Sequence, residues 1–288
     1  MNLMSAKPPR PLPRARVIAL HCSGAGARQW RHLVDALGST YQVLAPEHYG
    51  CESRGPWTGE HAFTLADEAA EAIDLIDDSD ERVHLVGHSY GGGVALHVAL
   101  ARPDRIASMA LYEPSAFHLL AQMGAPGHAA LAEIAAVAHR VGECVVTGDY
   151  RAGAAAFVDY WNGPGAWNEV RPIAQVRLID WTPKGPLEFA ALTEEPTPAS
   201  AYRALRIPTL ILRGAHAPRP TRLIAEMLPA LLPDSRLVVV DGAGHMGPLT
   251  HAPEVSRLIA RHIGATDKEK EKRTTLKEIA RSVQALGA

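Results

Sequence analysis

The sequence sets one serine between two glycines at a spacing of two, Gly87-His88-Ser89-Tyr90-Gly91, and continues with Gly92 and Gly93. That spacing serves nucleophilic chemistry when the serine sits on a sharp turn. A tight strand-to-helix elbow forces its central residue into a strained backbone conformation, so the residues two positions to either side must be small. The elbow lifts the hydroxyl clear of the sheet and directs the next N–H into the same space. It also aims a helix N-terminus at negative charge developing there. The plainer alternative is a glycine-rich turn with an incidental serine. The strand pattern before it, the helical pattern after it and both flanking glycines argue against that. A hydroxyl at neutral pH is a poor nucleophile and needs a base within hydrogen-bond reach. An imidazole, with an unperturbed pKa of about 6.5, suits the task, and fourteen histidines compete for it. His88 adjoins the serine but should point away, His84 falls in a strand, and His251 and His262 border or occupy a helix.

Short apolar runs rich in β-branched residues supply the elements that must hold these groups. They are Val17 to Leu20, Gln42 to Ala45, Val83 to Val86, Ile106 to Leu111, Thr209 to Gly214 and Leu237 to Val240. Alternating with helical patterns, they read as βαβ units in an α/β fold with a mainly parallel sheet flanked by helices. A helix from Leu65 to Ile76 carries Leu65, Ala69, Ala72, Ile73 and Ile76 on one face and acids on the other. Val94 to Ala101 is apolar nearly all round and stops at Arg102-Pro103. Leu223, Ile224, Met227, Leu228 and Leu231 mark another helix; Pro253 opens the next, with Gly264 as its expected C-terminal cap. Between 115 and 205 the strand rhythm vanishes, and Ala-rich helical stretches alternate with Gly, Pro and Trp. The expected organisation is therefore a core of residues 1–114 and 206–265, an inserted helical cap over 115–205, and a tail over 266–288. In that tail Asp267 to Arg273 reads as a solvated charge run. Thr275-Leu276-Lys277-Glu278 fits a capping box, and Leu276, Ile279, Val283 and Leu286 form a helical stripe. The stripe predicts a surface-docked helix, with homo-oligomerisation as the alternative.

Composition narrows the function. A net charge of −2 gives no electrostatic reason to bind nucleic acid or an anionic membrane. No segment approaches the roughly 20 apolar residues of a membrane-spanning helix, and the N-terminal stretch has no apolar core of a signal peptide. Three cysteines, Cys22, Cys51 and Cys144, contain no CxxC pair and suggest a reducing, cytoplasmic setting. The histidines show no HExxH or similar spacing, so neither a metal nor another cofactor is expected. Gly24-Ala25-Gly26 lacks the third glycine of a dinucleotide loop.

Three segments together carry a resemblance: Leu20-His21, the Gly87 to Gly92 elbow, and Asp241-Gly242-Ala243-Gly244-His245-Met246. Over roughly residues 16 to 264 the chain resembles the α/β-hydrolase superfamily of esterases, lipases and related enzymes. The resemblance implies that fold, with its inserted helical cap, and a catalytic triad. The family's chain order of nucleophile, acid and base implies Ser89 as nucleophile and His245 as base. The family commonly places an aspartate after the strand that here is Thr209 to Arg213, yet Gly214 to Pro220 contains no carboxylate. Some members carry the acid one strand earlier, where this chain has Glu113, which is the expected acid. Asp241 is the runner-up, but it lies only four residues before His245. The resemblance puts the oxyanion donors at the N–H groups of Tyr90 and Ser23; relatives typically read His-Gly where this chain reads His21-Cys22. Cys22 lacks an elbow and a base of its own, so a buried thiol is expected.

The implied activity is hydrolysis of a carboxylic ester or related acyl bond in a small molecule, through an acyl-enzyme. Acyl transfer and C–C bond hydrolysis on the same triad are rivals within the class, and a slow-turnover or non-catalytic ligand-binding homologue is the rival outside it. Ser89 argues against relatives with an aspartate nucleophile, such as epoxide hydrolases and dehalogenases. Phe117, Tyr160, Trp161, Trp167, Trp181 and Phe189 are candidates for an apolar pocket wall.

Overall fold

The computed structural model describes residues 15–51 and 53–286. Six parallel strands form one sheet in the order β2-β1-β3-β4-β5-β6: β1 (Ala15–Leu20), β2 (Tyr41–Leu44), β3 (Val83–His88), β4 (Ile106–Tyr112), β5 (Thr209–Gly214) and β6 (Ser235–Val240). The period of two along each strand sorts side chains to opposite faces. Val17, Ala19, Val86, Ala110, Tyr112, Leu210 and Leu212 pack with α1 (Arg31–Leu37) and with Val255, Ile259 and Ile263 of the C-terminal helix. Ile18, Leu20, Leu85, Met109, Leu111 and Ile211 pack on the other face with α2 (Leu65–Asp77) and α3 (Tyr90–Ala101). Both faces are covered, which is why the strands read as nearly continuous apolar runs.

Every described connection between β4 and β5 is helical. It comprises α4 (Gly124–Thr147), α5 (Tyr150–Asn162), α6 (Pro172–Trp181), α7 (Gly185–Thr193) and the short α8 (Ala199–Tyr202). After β5 come α9 (Arg219–Leu231), β6, the short α10 (Gly247–Thr250) and α11 (Ala252–Leu286). No described helix is long and apolar enough to cross a membrane.

Four expectations are corrected. Glu68 of α2 does not join the other acids in solvent: spaced three residues from Leu65 and four from Ala72, it falls on the inward face and is buried. Gly264 caps nothing; α11 runs through it for 35 residues, because nothing approaches the open side of the glycine and the chain meets no proline beyond it. Thr275 likewise starts no helix: it is interior, and its hydroxyl donates to the Glu271 carbonyl one turn back. Asp267, placed in a solvated run, is half-buried and accepts a hydrogen bond from the Tyr41 hydroxyl at 2.8 Å. Leu276 is exposed; the side chains of Ile279, Val283 and Leu286 lie outside the described residues.

Candidate active site

The C-terminal ends of β1, β3, β4, β5 and β6 deliver their loops to one edge of the sheet, where open α/β sheets place ligands. Ser89 stands between β3 and α3 at φ 53°. Both glycines around it are sterically required. A Cβ on Gly87 would lie 2.5 Å from the Gly91 carbonyl oxygen, and one on Gly91 would lie 2.4 Å from the carbonyl oxygens of Leu20 and His21. The Ser89 carbonyl accepts from the N–H groups of Gly92, Gly93 and Ser115, pinning the turn.

His245, in the loop after β6, is buried with its Nε2 2.8 Å from Ser89 Oγ. Its Nδ1 lies 2.7 Å from Glu113 Oε2. A carboxylate only accepts, so Nδ1 carries the proton and the Nε2 lone pair faces the serine hydroxyl. Glu113, delivered by the end of β4, is fully buried. Its other contacts are the Gly214 N–H at 2.8 Å and the Thr221 hydroxyl at 2.8 Å. The loop after β5 thus has no carboxylate, but the last residue of β5 contributes a backbone donor to the one at the end of β4. Glu113 and Ser89 are the two non-glycine residues with positive φ among the described residues. Asp241 is exposed and makes no contact with His245. His88 does turn away from the serine. It donates from Nε2 to the His245 carbonyl at 2.9 Å, and burial pushes its pKa well down. The Trp161 ring stacks on the His245 ring, centroids 4.1 Å apart.

Ser23, in the loop after β1, lines the same pocket as Ser89, and Tyr90 follows Ser89 as the first residue of α3. Among the described residues neither of their N–H groups donates to another backbone group. Cys22 is buried, and that burial, with Glu188 next, raises its pKa to about 12. Its N–H donates to Gln29 Oε1 at 3.2 Å. The cysteine is therefore a protonated core residue and the turn tolerates it.

A small cavity of about 10 Å³ opens on Ser89, lined by Ser23, Ser115, Phe117, Phe157, Trp161, Trp181, Glu188, Phe189 and Leu192. Four of the six expected aromatic residues reach it. Tyr160 instead donates to Glu133, and Trp167 packs on Ala154 and Val158. Sequence reasoning missed Phe157, Ser115 and Glu188. Ser115 Oγ lies 3.3 Å from Ser89 Oγ; its position two residues after Glu113 was a usable signal. Glu188 had none, because its partners lie far away in the chain.

Glu188 belongs to a buried ionic cluster. The Ser23 hydroxyl donates to Glu188 Oε2 in a short hydrogen bond. Glu188 Oε1 lies 3.1 Å from Lys184 Nζ, and Lys184 also pairs with Glu68 Oε2 in a short contact. The Tyr90 phenol donates to that same Glu68 oxygen at 2.7 Å. Arg54 and His48 approach the other Glu68 oxygen at 3.2 and 3.4 Å. Burial alone would raise the Glu68 carboxyl, but hydrogen bonding from His48 and the Lys184 ammonium outweigh it and hold it well below the usual range. Burial, with His21 next, pushes His48 down to about 4, so that ring is neutral. One group of described residues could ligate a metal: His21, Glu47 and Cys51 bring ligand atoms within 4.8 Å of one another. Burial, with Glu47 next, pushes the Cys51 thiol up to about 12, and His21 Nε2 lies 3.1 Å from Glu47 Oε2.

A model of the alpha/beta hydrolase family matches residues 17–258. Over 101 residues the chain is 36% identical to lipase LipV of Mycobacterium tuberculosis, covering 35% of this chain and 38% of that protein. Over 106 residues it is 31% identical to the cis-3-alkyl-4-alkyloxetan-2-one decarboxylase of Shewanella oneidensis, covering 36% and 33%. The matches span about a third of the length of these curated relatives. The fold is similar to that of a hydrolase from Pseudomonas aeruginosa, with TM-score 0.66, 23% identity and coverage of 87% of this chain and 90% of that one. It is also similar to the enol-lactonase from Burkholderia xenovorans, with TM-score 0.67, 18% identity and coverage of 88% and 92%. With the parallel sheet and its elbow, the match over residues 17–258 settles the family: the chain belongs to the alpha/beta hydrolases.

Proposed function

We propose that this protein is a serine hydrolase that cleaves a carboxylic ester or related acyl bond of a small molecule through an acyl-enzyme. The observation that carries the reading is the continuous hydrogen-bonded series from Ser89 through His245 to Glu113, at 2.8 and 2.7 Å. Ser89 Oγ bonds to the acyl carbon while its proton passes to His245 Nε2. The imidazolium then gives that proton to the departing alkoxide, and water repeats the two steps to release the acid and restore Ser89. Glu113 fixes the tautomer and stabilises the imidazolium. The N–H groups of Tyr90 and Ser23 stabilise the tetrahedral oxyanion. The helices between β4 and β5 act as a cap whose aromatic side chains wall the acyl site.

The test is active-site labelling. A fluorophosphonate should label the wild type, and Ser89→Ala should lose both labelling and nitrophenyl-ester turnover while its Tm stays near wild type. Labelling that persists in Ser89→Ala points to another nucleophile and overturns the assignment.

A further inference from the structure

We propose that Lys184 and Glu188 are positioning residues for transition-state stabilisation: the buried series Ser23–Glu188–Lys184–Glu68–Tyr90 braces the two oxyanion donors against each other. The inference rests on the acyl-hydrolysis reading and adds to it residues from the inserted helices.

Both ends of the series are the residues whose backbone N–H groups the acyl-hydrolysis reading assigns to the oxyanion. Ser23 is tied by its hydroxyl to Glu188, and Tyr90 by its phenol to Glu68. Lys184 joins the two carboxylates, and it also stands over the Tyr90 ring at 4.8 Å. Glu68, Lys184 and Glu188 are between 2 and 5% exposed. Burying three charges costs desolvation, and apolar residues of similar volume hold two layers together at least as well. Adhesion between insert and sheet therefore does not explain the cluster. Geometry does. Tyr90 is already set by the elbow, whereas Ser23 lies in an irregular loop next to Gly24 at φ 64°. A donor misplaced by a fraction of an ångström weakens stabilisation of the oxyanion far more than it weakens ground-state binding. Glu188 alone would set a negative charge beside that oxyanion. Lys184 between Glu188 and Glu68 offsets it, so the lysine is the member whose loss harms most.

The test compares a trifluoromethyl ketone, which forms a serine-bound oxyanion, with the matching secondary alcohol, which does not. For Ser23→Ala, Glu188→Gln and Lys184→Met, kcat should fall and the ketone Ki rise by roughly ten- to a hundredfold, less than the about 10²- to 10³-fold lost when a donor itself is removed. KM and the alcohol Ki should stay within about threefold. Lys184→Arg should recover most of the loss, and Ser23→Ala combined with Glu188→Gln should cost no more than the worse single change. A rise in KM and alcohol Ki with kcat unchanged makes Glu188 a pocket wall and overturns the brace, as do unchanged or fully additive variants. If Lys184→Met does not fold, Ser23→Ala, which removes one hydroxyl, decides. A wild type that neither turns over esters nor binds the ketone refutes the hydrolase reading itself, whereas an active wild type with unaffected variants refutes the brace alone.

Discussion

Glu113 combines two costs at one residue: a positive φ of 42° and a carboxylate with no exposure. Each is tolerated only where the surroundings over-determine it. Here the Glu113 N–H donates to the Leu212 carbonyl, and its carboxylate faces the His245 ring, the Gly214 N–H and the Thr221 hydroxyl. Glu113→Gln should keep the fold and lower kcat by roughly 10³- to 10⁴-fold, as loss of a triad acid does. Asp241→Asn, at an exposed position, should leave kcat within about twofold of wild type; steady-state kinetics on both variants decides between the two carboxylates. The contact between Glu113 and His245 was foreseeable because the family resemblance allows an acid at the end of the preceding strand, and the loop after β5 holds no carboxylate. Glu188 was not legible. Its meaning depends on Ser23, 165 residues away in the chain, and nothing local distinguishes it from a surface glutamate.

Strands were read well because a parallel sheet buries both faces and leaves an apolar run that few other structures produce. Helices were read well along their apolar stripes and poorly at two points. Glu68 occupies an apolar-face position that only its partners Lys184, Arg54 and His48 make habitable. Gly264 has the composition of a stop, but α11 continues and is anchored beyond it, where Asp267 meets Tyr41 and His84. Asp267→Ala should lower stability by about 1 kcal/mol, since a charged hydrogen-bond partner that is partly exposed contributes in that range; urea unfolding at neutral pH measures it. The elbow is the least forgiving element. A methyl group on Gly91 meets two backbone carbonyls that cannot rotate away. Gly91→Ala should cost about 3 kcal/mol or more, and activity should fall further than stability, because Ser89 moves with the turn.

At the scale of the molecule, buried histidines couple stability to pH. Burial pushes His48 to about 4 and also lowers His88, His118 and His262. Their unfolded-state pKa is about 6.5. Between those values the unfolded chain binds protons that the native fold refuses, so stability is fully present above the unfolded pKa and is lost as pH falls toward the folded one. The slope is about 1.4 kcal/mol per pH unit for each such ring. Urea midpoints at pH 7, 6 and 5 should fall in that order, and His48→Gln should make the decline shallower; a flat series contradicts the neutral burial of these rings. The other global property is closure. A cavity of about 10 Å³ over Ser89 has room for roughly one water, against the hundreds of cubic ångströms of a typical ligand site. On the proposed acyl-hydrolysis reading, a substrate larger than a water needs the side chains around Ser89, or the helices that carry them, to move aside.

Such a motion would have an optical signature. Trp161 belongs to α5 and His245 to the loop after β6, and their rings are stacked at 4.1 Å. A neighbouring imidazole quenches indole emission, and does so more strongly when protonated. Any separation of insert from sheet unstacks the pair, and any proton taken up by the base changes the quenching in place. The difference between wild-type and Trp161→Phe emission therefore isolates one of the five indoles, and stopped-flow mixing with an ester follows it through a turnover. On the proposed mechanism, a rise before product appears would report opening, and a fall coincident with acylation would report the imidazolium. The side chain that lines the pocket can thus serve as an intrinsic fluorophore for the base beside it.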